Sequence, residues 1–459
     1  MMPLPRLEFC ILGLLALAVP SAQAAEPACD YRLTVHGAAA SSLDISVGCA
    51  DADLLSQLQF ADARAADFVT RLGDLDNEAK FSIDLNGLAA DMADDDGALR
   101  IGRSLIVSPA SVLPVPVGGD VSLRLRVVLM DGSDMALGLP QDDQGRYLLR
   151  GADLRSAGEW VLGHFDRFAV PGEDGLDVAI LDAPRAVSNV VLQGWVSDVA
   201  ASNARFWGQV PTTPKLLAVL PESGGSGLPF GRVMAGSGVT ILLRLGANTT
   251  IDQLYEEWVL VHEFLHLGTP LMRDTGIWFN EGIATYFEPI LRARAGWKNE
   301  DAVWHEWLTN MPRGLPALTE TGLAQAASRR SYWGGALFLL LADVELRRRS
   351  GGDMGSEDCL RAVLREGVDV RWRWPTARML AACDAATGAT VFADLARRYV
   401  YGHEPLDLDG LWRDLGVSLE VDGTIVYDDQ ARLAAVRRTI VWGSTTDWPP
   451  IGAYRAAVN

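Results

Sequence analysis

The sequence predicts an α+β chain: a β-rich, sandwich-like N-terminal domain followed by a mainly helical domain. Three observations carry that prediction. Apolar and polar residues alternate through much of 30–183, the pattern of half-buried strands. The texture changes near Pro184, where a helical stretch and two short apolar strands follow one another. From Thr250 onward helical spacing dominates, which separates the β-rich half from the helical half as α+β folds do.

Each element follows from its residues. Met1 to Glu8 carries one Arg, Cys10 to Val19 is an apolar run, Pro20 breaks it, and Ala22-Gln23-Ala24 offers small residues at cleavage spacing. Residues 1–24 therefore read as a secretory signal peptide, since about ten apolar residues are too few to span a bilayer. In 25–184, Tyr31–Val35, Leu43–Val47, Val121–Leu129 and Leu176–Leu181 are expected strands of an antiparallel sandwich or sheet. Turn clusters such as Asp131-Gly132-Ser133 separate them, and a helix is expected near Leu54–Leu72. In 185–402, Ser188–Trp207 has helical spacing, Lys215–Leu220 and Thr240–Leu245 are short strands, and helices are expected over 251–267, 280–295, 300–309, 332–349, 356–366 and 389–400. Arg347-Arg348-Arg349 reads as a solvated helix end, where cations suit the helix dipole. Residues 403–459 form a short extension with a strand at Gly423–Tyr427 and a helix near Gln430–Arg438.

Composition narrows the function classes. The formal net charge of −19 argues against nucleic acid as a partner. No stretch after the signal peptide reaches the ~18 uncharged apolar residues of a membrane span, so a secreted or periplasmic protein is expected. Cys10 leaves with the signal peptide, and Cys29, Cys49, Cys359 and Cys383 remain. An even count in an oxidising compartment suggests disulfides. Of the three possible pairings the simplest joins near neighbours, Cys29–Cys49 and Cys359–Cys383, each closing a loop of ~20 residues. No Cys-x-x-Cys occurs, which argues against a thiolate metal site.

The chemistry concentrates in His262-Glu263-Phe264-Leu265-His266. On a helix, positions i and i+4 project from one face, so two imidazoles can grip one metal ion. Glu263, beside the first of them, is placed to take a proton from water that Zn²⁺ activates. A catalytic zinc takes three protein ligands and keeps one position open. Glu281, in Trp278-Phe279-Asn280-Glu281-Gly282 at the start of the next helix, is the expected third ligand, because the intervening residues suffice for that helix to fold back beside the first.

These residues resemble a family. His-Glu-x-x-His followed by Asn280-Glu281-Gly282-Ile283-Ala284-Thr285-Tyr286-Phe287-Glu288 is similar to the pattern of gluzincin metallopeptidases, in particular the glycyl-aminopeptidase and alanyl-aminopeptidase branches. Ser331-Tyr332-Trp333-Gly334-Gly335-Ala336-Leu337 resembles their tyrosine-bearing helix start. The resemblance covers about 200–400 and implies a thermolysin-like catalytic domain, a peptide or protein substrate, and a Tyr332 phenol that hydrogen-bonds the oxyanion of the tetrahedral intermediate.

The expected function is thus an exported zinc-dependent metallopeptidase. Two rivals stand beside it: a non-catalytic scaffold that keeps zinc for structure, and a zinc hydrolase of non-peptide bonds. An intact Glu263 argues against the scaffold, because a structural site has no use for a general base. In the related families an aminopeptidase recognises the substrate amine with a Glu on a strand shortly before the zinc helix. The matching stretch here runs from Gly231 to Val239, with Gly231, Met234, Ala235 and Gly236 as candidate substrate-binding residues, and it holds no carboxylate. No Asp or Glu occurs between Glu222 and Asp252, and Arg232 adds a positive charge. The sequence therefore predicts something other than an ordinary aminopeptidase, unless Glu222, Glu256 or Glu257 supplies the charge from elsewhere.

Overall fold

The structure is a computed structural model that describes residues 28–443 and 451, apart from 76–77, 93–96, 118–119, 174 and 327; the expected signal peptide lies outside the described residues. Three sheets and a helical layer stack on one another. The first sheet has six strands in the order Tyr147–Arg150, Ser122–Leu129, Cys29–His36, Ser42–Cys49, Glu78–Asp84, Val69–Leu75. Alternation in these strands turns one face inward, so that Tyr31, Leu33, Val35, Ile45 and Leu125 share a core with Leu105, Val107, Trp160 and Leu162 of a four-stranded second sheet. The other face of that second sheet sends Ile106, Ala136 and Val161 into a smaller core with Ala179, Leu181, Leu216 and Ala218 of a third sheet. The β-rich half is therefore a sandwich whose second layer rests on the next unit. Within the first sheet one pairing departs from the antiparallel expectation: Cys29–His36 runs parallel to Ser122–Leu129. Parallel neighbours need a crossover of a dozen or more residues, and the long segment between Cys49 and Ser122 supplies it.

The third sheet supports the site. Its order is Phe165–Ala169, Leu176–Leu181, Lys215–Glu222, Val239–Gly246, Phe230–Ala235. The three inner strands are parallel and the outer two antiparallel to their neighbours. Inner strands read as continuous apolar runs because both of their faces are covered. The first two strands precede residue 185, so hydrogen bonding crosses that position. Helix Asn189–Trp207, capped by Ser188 and ended by left-handed Gly208, makes the crossover between Leu176–Leu181 and Lys215–Glu222. Phe230–Ala235 is left as the edge strand.

Several helices differ from expectation. Leu54–Leu72 is not one helix but a short helix Ala52–Ser56, a strand Leu58–Phe60, a 3₁₀ turn Ala63–Phe68 and the strand Val69–Leu75. Asp51 and Asp62 each cap a short turn, and Leu58–Phe60 pairs with distant Pro114–Pro116. The stretch 251–267 divides into Ile251–Glu256 and Val259–His266, because Glu257 is extended at φ −79°, ψ 145°. Helix Thr376–Thr387 was not expected and is tied to Ser356–Arg365 by Cys359–Cys383. The second cysteine pair, Cys29–Cys49, is also bonded, across directly opposed residues of adjacent strands. Arg347 is not solvated: it is buried, with Nε 2.8 Å from Asp343 Oδ2 and Nη2 3.7 Å from Glu357 Oε1. Only Arg348 and Arg349 stay exposed, both paired with Glu345. The tail is no separate core: Leu408, Trp412, Leu415, Val436 and Ile440 pack into the same cluster as the motif helices. No described helix is long and apolar enough to cross a membrane.

Candidate metal centre

The break at Glu257-Trp258 starts a new helix, Val259–His266, every residue of which is buried. Its i, i+4 spacing sets His262 and His266 on one face, ring centroids 4.9 Å apart. The chain then turns and returns as helix Ile277–Arg294. Asn280 fixes that return: its Oδ1 accepts from the Met272 N–H at 2.9 Å and its Nδ2 donates to the Pro270 carbonyl at 3.0 Å. The next residue, Glu281, thereby arrives with Oε2 3.2 Å from His262 Nε2 and 3.7 Å from His266 Nε2. One ligand atom from each of the three residues lies within 4.8 Å of the others. Ligands of a tetrahedral zinc with ~2.0–2.1 Å bonds stand about 3.4 Å apart, so this donor set fits a zinc ion.

A glycine pair holds the third helix against the second. A Cβ on Gly282 would meet the Gly335 carbonyl carbon at 2.5 Å, and one on Gly335 would meet the Trp278 carbonyl oxygen at 1.9 Å. Helix Ser328–Ser350 therefore approaches Ile277–Arg294 backbone to backbone, and Tyr332, three residues before Gly335, reaches the cluster. Its hydroxyl donates to Glu281, and its ring lies 6.2 Å from the His262 ring.

On the other side stands the edge strand. A Cβ on Gly231 would lie 2.7 Å from both Glu263 Cγ and Val259 Cγ1, so only glycine lets Phe230–Ala235 pass this close. The Val233 backbone hydrogen-bonds the Glu263 carboxylate. Of the four candidate strand residues only Gly231 lines the site. Met234 packs toward the core between sheets, the Ala235 carbonyl accepts from Arg373, and Gly236 donates its N–H to the Gly238 carbonyl at 2.9 Å.

Burial sets the electrostatics. It raises the Glu263 carboxyl to about 7, with the charge of Glu281 adding to the effect and that of His262 opposing it. It lowers His266 to about 4, which keeps that imidazole neutral as a ligand must be. At His262 burial pulls down, but the Glu281 hydrogen bond and nearby carboxylates outweigh it and the net direction is up. At Glu281 burial pulls up, and the His262 bond reverses it. Tyr332 is pushed up to about 12 by burial and the adjacent carboxylates, so its phenol stays a donor.

All five residues open onto one cavity of about 780 Å³. Phe230, Trp258 and Ile277 make part of its wall apolar; Arg232, Arg273, Arg373 and Asp274 also line it. Arg232 forms an ion pair with Glu159 at 3.0 Å. Glu222, Glu256 and Glu257 do not line it, and Glu222 pairs with Arg244 instead. Sequence reasoning missed Asn280 as a structural pin, although it stands inside the quoted motif. It also missed Asp274, Arg273 and Arg373, which no local pattern marks.

No protein-family model matches the chain, and no curated protein matches it. Solved structures do. An aminopeptidase N family protein from Idiomarina loihiensis superposes with a TM-score of 0.61 at 13% identity, over 85% of this chain and 79% of that one. An M1 zinc metallopeptidase from Deinococcus radiodurans gives a TM-score of 0.47 at 15% identity, over 83% and 95%. Yeast LTA4 hydrolase gives 0.45 at 12% identity, over 83% and 68%. At such identities the first of these shows a shared fold, a β-rich N-terminal region followed by a helical part, and the weaker two add nothing to that.

Proposed function

We propose that this chain is an exported, thermolysin-like zinc metallopeptidase that hydrolyses peptide bonds and is not an ordinary aminopeptidase. The observation that carries the reading is the convergence of His262, His266 and Glu281, ligand atoms within 4.8 Å, on the cavity that Glu263 and Tyr332 also line. In this reading those three residues hold zinc, which supplies Lewis acidity toward water and the scissile carbonyl. Glu263 accepts the proton of the attacking water; a carboxyl raised toward neutrality is well matched to that task. Tyr332 donates to the oxygen on which negative charge develops. The outer edge of Phe230–Ala235 offers its backbone to an extended substrate. The signal-peptide pattern and the two bonded cysteine pairs support export.

The edge strand supports the departure from aminopeptidases, since it presents Gly231 and Arg232 to the cavity and no carboxylate. Outside the catalytic set the one lining carboxylate among the described residues is Asp274, and it is already engaged. Its Oδ1 accepts from the Gly276 N–H at 3.0 Å and from the Thr376 hydroxyl, and its Oδ2 accepts from the Thr376 N–H at 2.9 Å.

The test uses one peptide in free and N-acetylated forms, with wild-type, Glu263→Gln and His262→Ala proteins. Both peptide forms should be cleaved at internal bonds. Glu263→Gln should keep about one zinc per chain and lose roughly 10²–10⁴-fold in turnover, while His262→Ala should lose the metal. A strong preference for the free amine with stepwise release of single residues would overturn the departure from aminopeptidases. Wild-type rates in Glu263→Gln would overturn the mechanism.

A further inference from the structure

The hydrolytic machinery leaves one wall of the cavity unused. Its lining includes Arg273 and Arg373, on neighbouring stretches of chain. Leu271–Met272 and Arg373–Trp374 are a parallel strand pair in which Leu271 lies opposite Arg373, and the Arg273 N–H extends the pair by donating to the Trp374 carbonyl at 3.0 Å. Arg273 lies two residues beyond Leu271, so strand alternation puts both arginines on one face of this ribbon. With strands ~4.8 Å apart and a two-residue offset of ~6.6 Å, their Cα atoms stand about 8 Å apart.

Neither guanidinium has a carboxylate at ion-pair distance among the described residues. Arg373 donates Nη1 to the Val370 carbonyl at 3.1 Å and the Trp372 carbonyl at 3.5 Å, and Nη2 to the Ala235 carbonyl. Those bonds orient the group and use three of its five N–H donors, which leaves Nε–H and one Nη2 hydrogen. Carbonyls do not neutralise its charge, and Asp153, which acts on it from farther away, is itself paired with Arg150 at 2.9 Å. Arg273 is exposed. The third cation, Arg232, is matched by Glu159, while Asp274 keeps its negative charge in the same lining, its carboxylate oriented by bonds from Thr376 and Gly276, so the two arginines leave this wall with a net positive charge. The chain as a whole carries −19 and would repel an acidic substrate at long range. With a Debye length of about 8 Å at physiological salt, the local wall decides what docks.

We infer that Arg273 and Arg373 bind a carboxylate of the substrate, so that peptides with negative charge near the scissile bond are preferred; this rests on the peptidase reading above. The carboxylate comes either from an acidic side chain or from the substrate's C-terminus, and both are tested. Zinc-loaded protein is given matched peptides with Glu or Gln on either side of the scissile bond, each with a free or amidated C-terminus. Wild type should prefer Glu over Gln, or the free over the amidated end, by about tenfold or more in kcat/KM, the worth of a charge-assisted contact. Arg273→Gln and Arg373→Gln should bring that ratio toward one, with zinc content and circular dichroism reporting that each variant is folded. Arg273→Gln, which removes no side-chain bond among the described residues, separates recognition from folding. Equal handling of all the peptides, or a preference for Gln and the amidated end, overturns the inference. If no peptide is cleaved, the peptidase reading fails, and the wall is judged by binding. Labelled Glu peptide should then bind Glu263→Gln protein more tightly than Gln peptide, by a margin that Arg273→Gln abolishes; equal binding refutes the site.

Discussion

Glu263 should cost the chain stability in proportion to how deeply it is buried, and that cost is measurable without any substrate. Its carboxyl is raised from 4.5 to about 7, chiefly by burial and further by Glu281. The folded state therefore holds this proton more tightly than the unfolded state. The contribution to stability is fully present below about pH 4.5 and is lost as pH rises through about 7. Raising the carboxyl from 4.5 to about 7, at about 1.36 kcal/mol for each tenfold change in proton affinity, amounts to about 3 kcal/mol of destabilisation in alkaline solution. Glu263→Gln keeps the shape and an acceptor for the Val233 backbone but has no proton to lose. The assay is urea unfolding of chelator-treated wild type and variant at about pH 5 and about pH 8. The variant should gain on wild type by about 2.5 kcal/mol between those two values. A stability difference that does not change with pH, or that narrows toward pH 8, would refute the claim that this carboxylate is buried at a cost. The same substitution is expected to remove turnover, so the site would exchange stability for function.

Two further outcomes follow from the packing. Gly282→Ala forces a methyl to within 2.5–2.6 Å of the Gly335 backbone, which cannot rotate away. It should lose about 1–3 kcal/mol in calorimetry and weaken zinc affinity by moving Glu281; wild-type values for both would show that the helix contact does not position the ligand. Non-reducing peptide mapping should recover Cys29–Cys49 and Cys359–Cys383, and the double variant Cys359→Ser, Cys383→Ser should lose about 3 kcal/mol, as loop closure over a sequence separation of 24 implies. Four free thiols, or an unchanged melting temperature, would contradict this.

The parts of the site legible in the sequence are those whose geometry is local. His262, Glu263 and His266 lie within one helical turn, and Glu281 opens the helix that folds straight back. The break at Glu257-Trp258 left no mark, because it contains neither Pro nor Gly; the extended Glu257 ends one helix there and leaves Trp258 exposed, with its ring 5.1 Å from that of His262. Long-range facts stayed hidden. The strand Leu176–Leu181 was legible in the sequence and Phe165–Ala169, which reads Phe-Asp-Arg-Phe-Ala, was not; the membership of both in the sheet of the site depends on pairing across residue 185. The expected helix over Leu54–Leu72 failed for the same reason, since Leu58–Phe60 is a strand only because Pro114–Pro116 lies beside it. Gly231 was placed at the site from its motif position. The reason it must be glycine, the Glu263 side chain pressed against it, appears only in three dimensions. Arg373 reaches the cavity from about a hundred residues beyond the motif, through a two-residue strand that no periodicity reveals.

The most direct test of the central claim is hydrolysis of a peptide library by the purified mature protein, followed through removal of metal by a chelator and readdition of zinc, with bound zinc measured at each stage. Cleavage should require about one zinc per chain, disappear with the chelator and return with the metal, and His266→Ala should neither hold zinc nor cleave. Cleavage that survives complete loss of zinc, or a fully zinc-loaded wild-type protein that cleaves nothing in the library, would contradict the assignment of this chain as a zinc metallopeptidase.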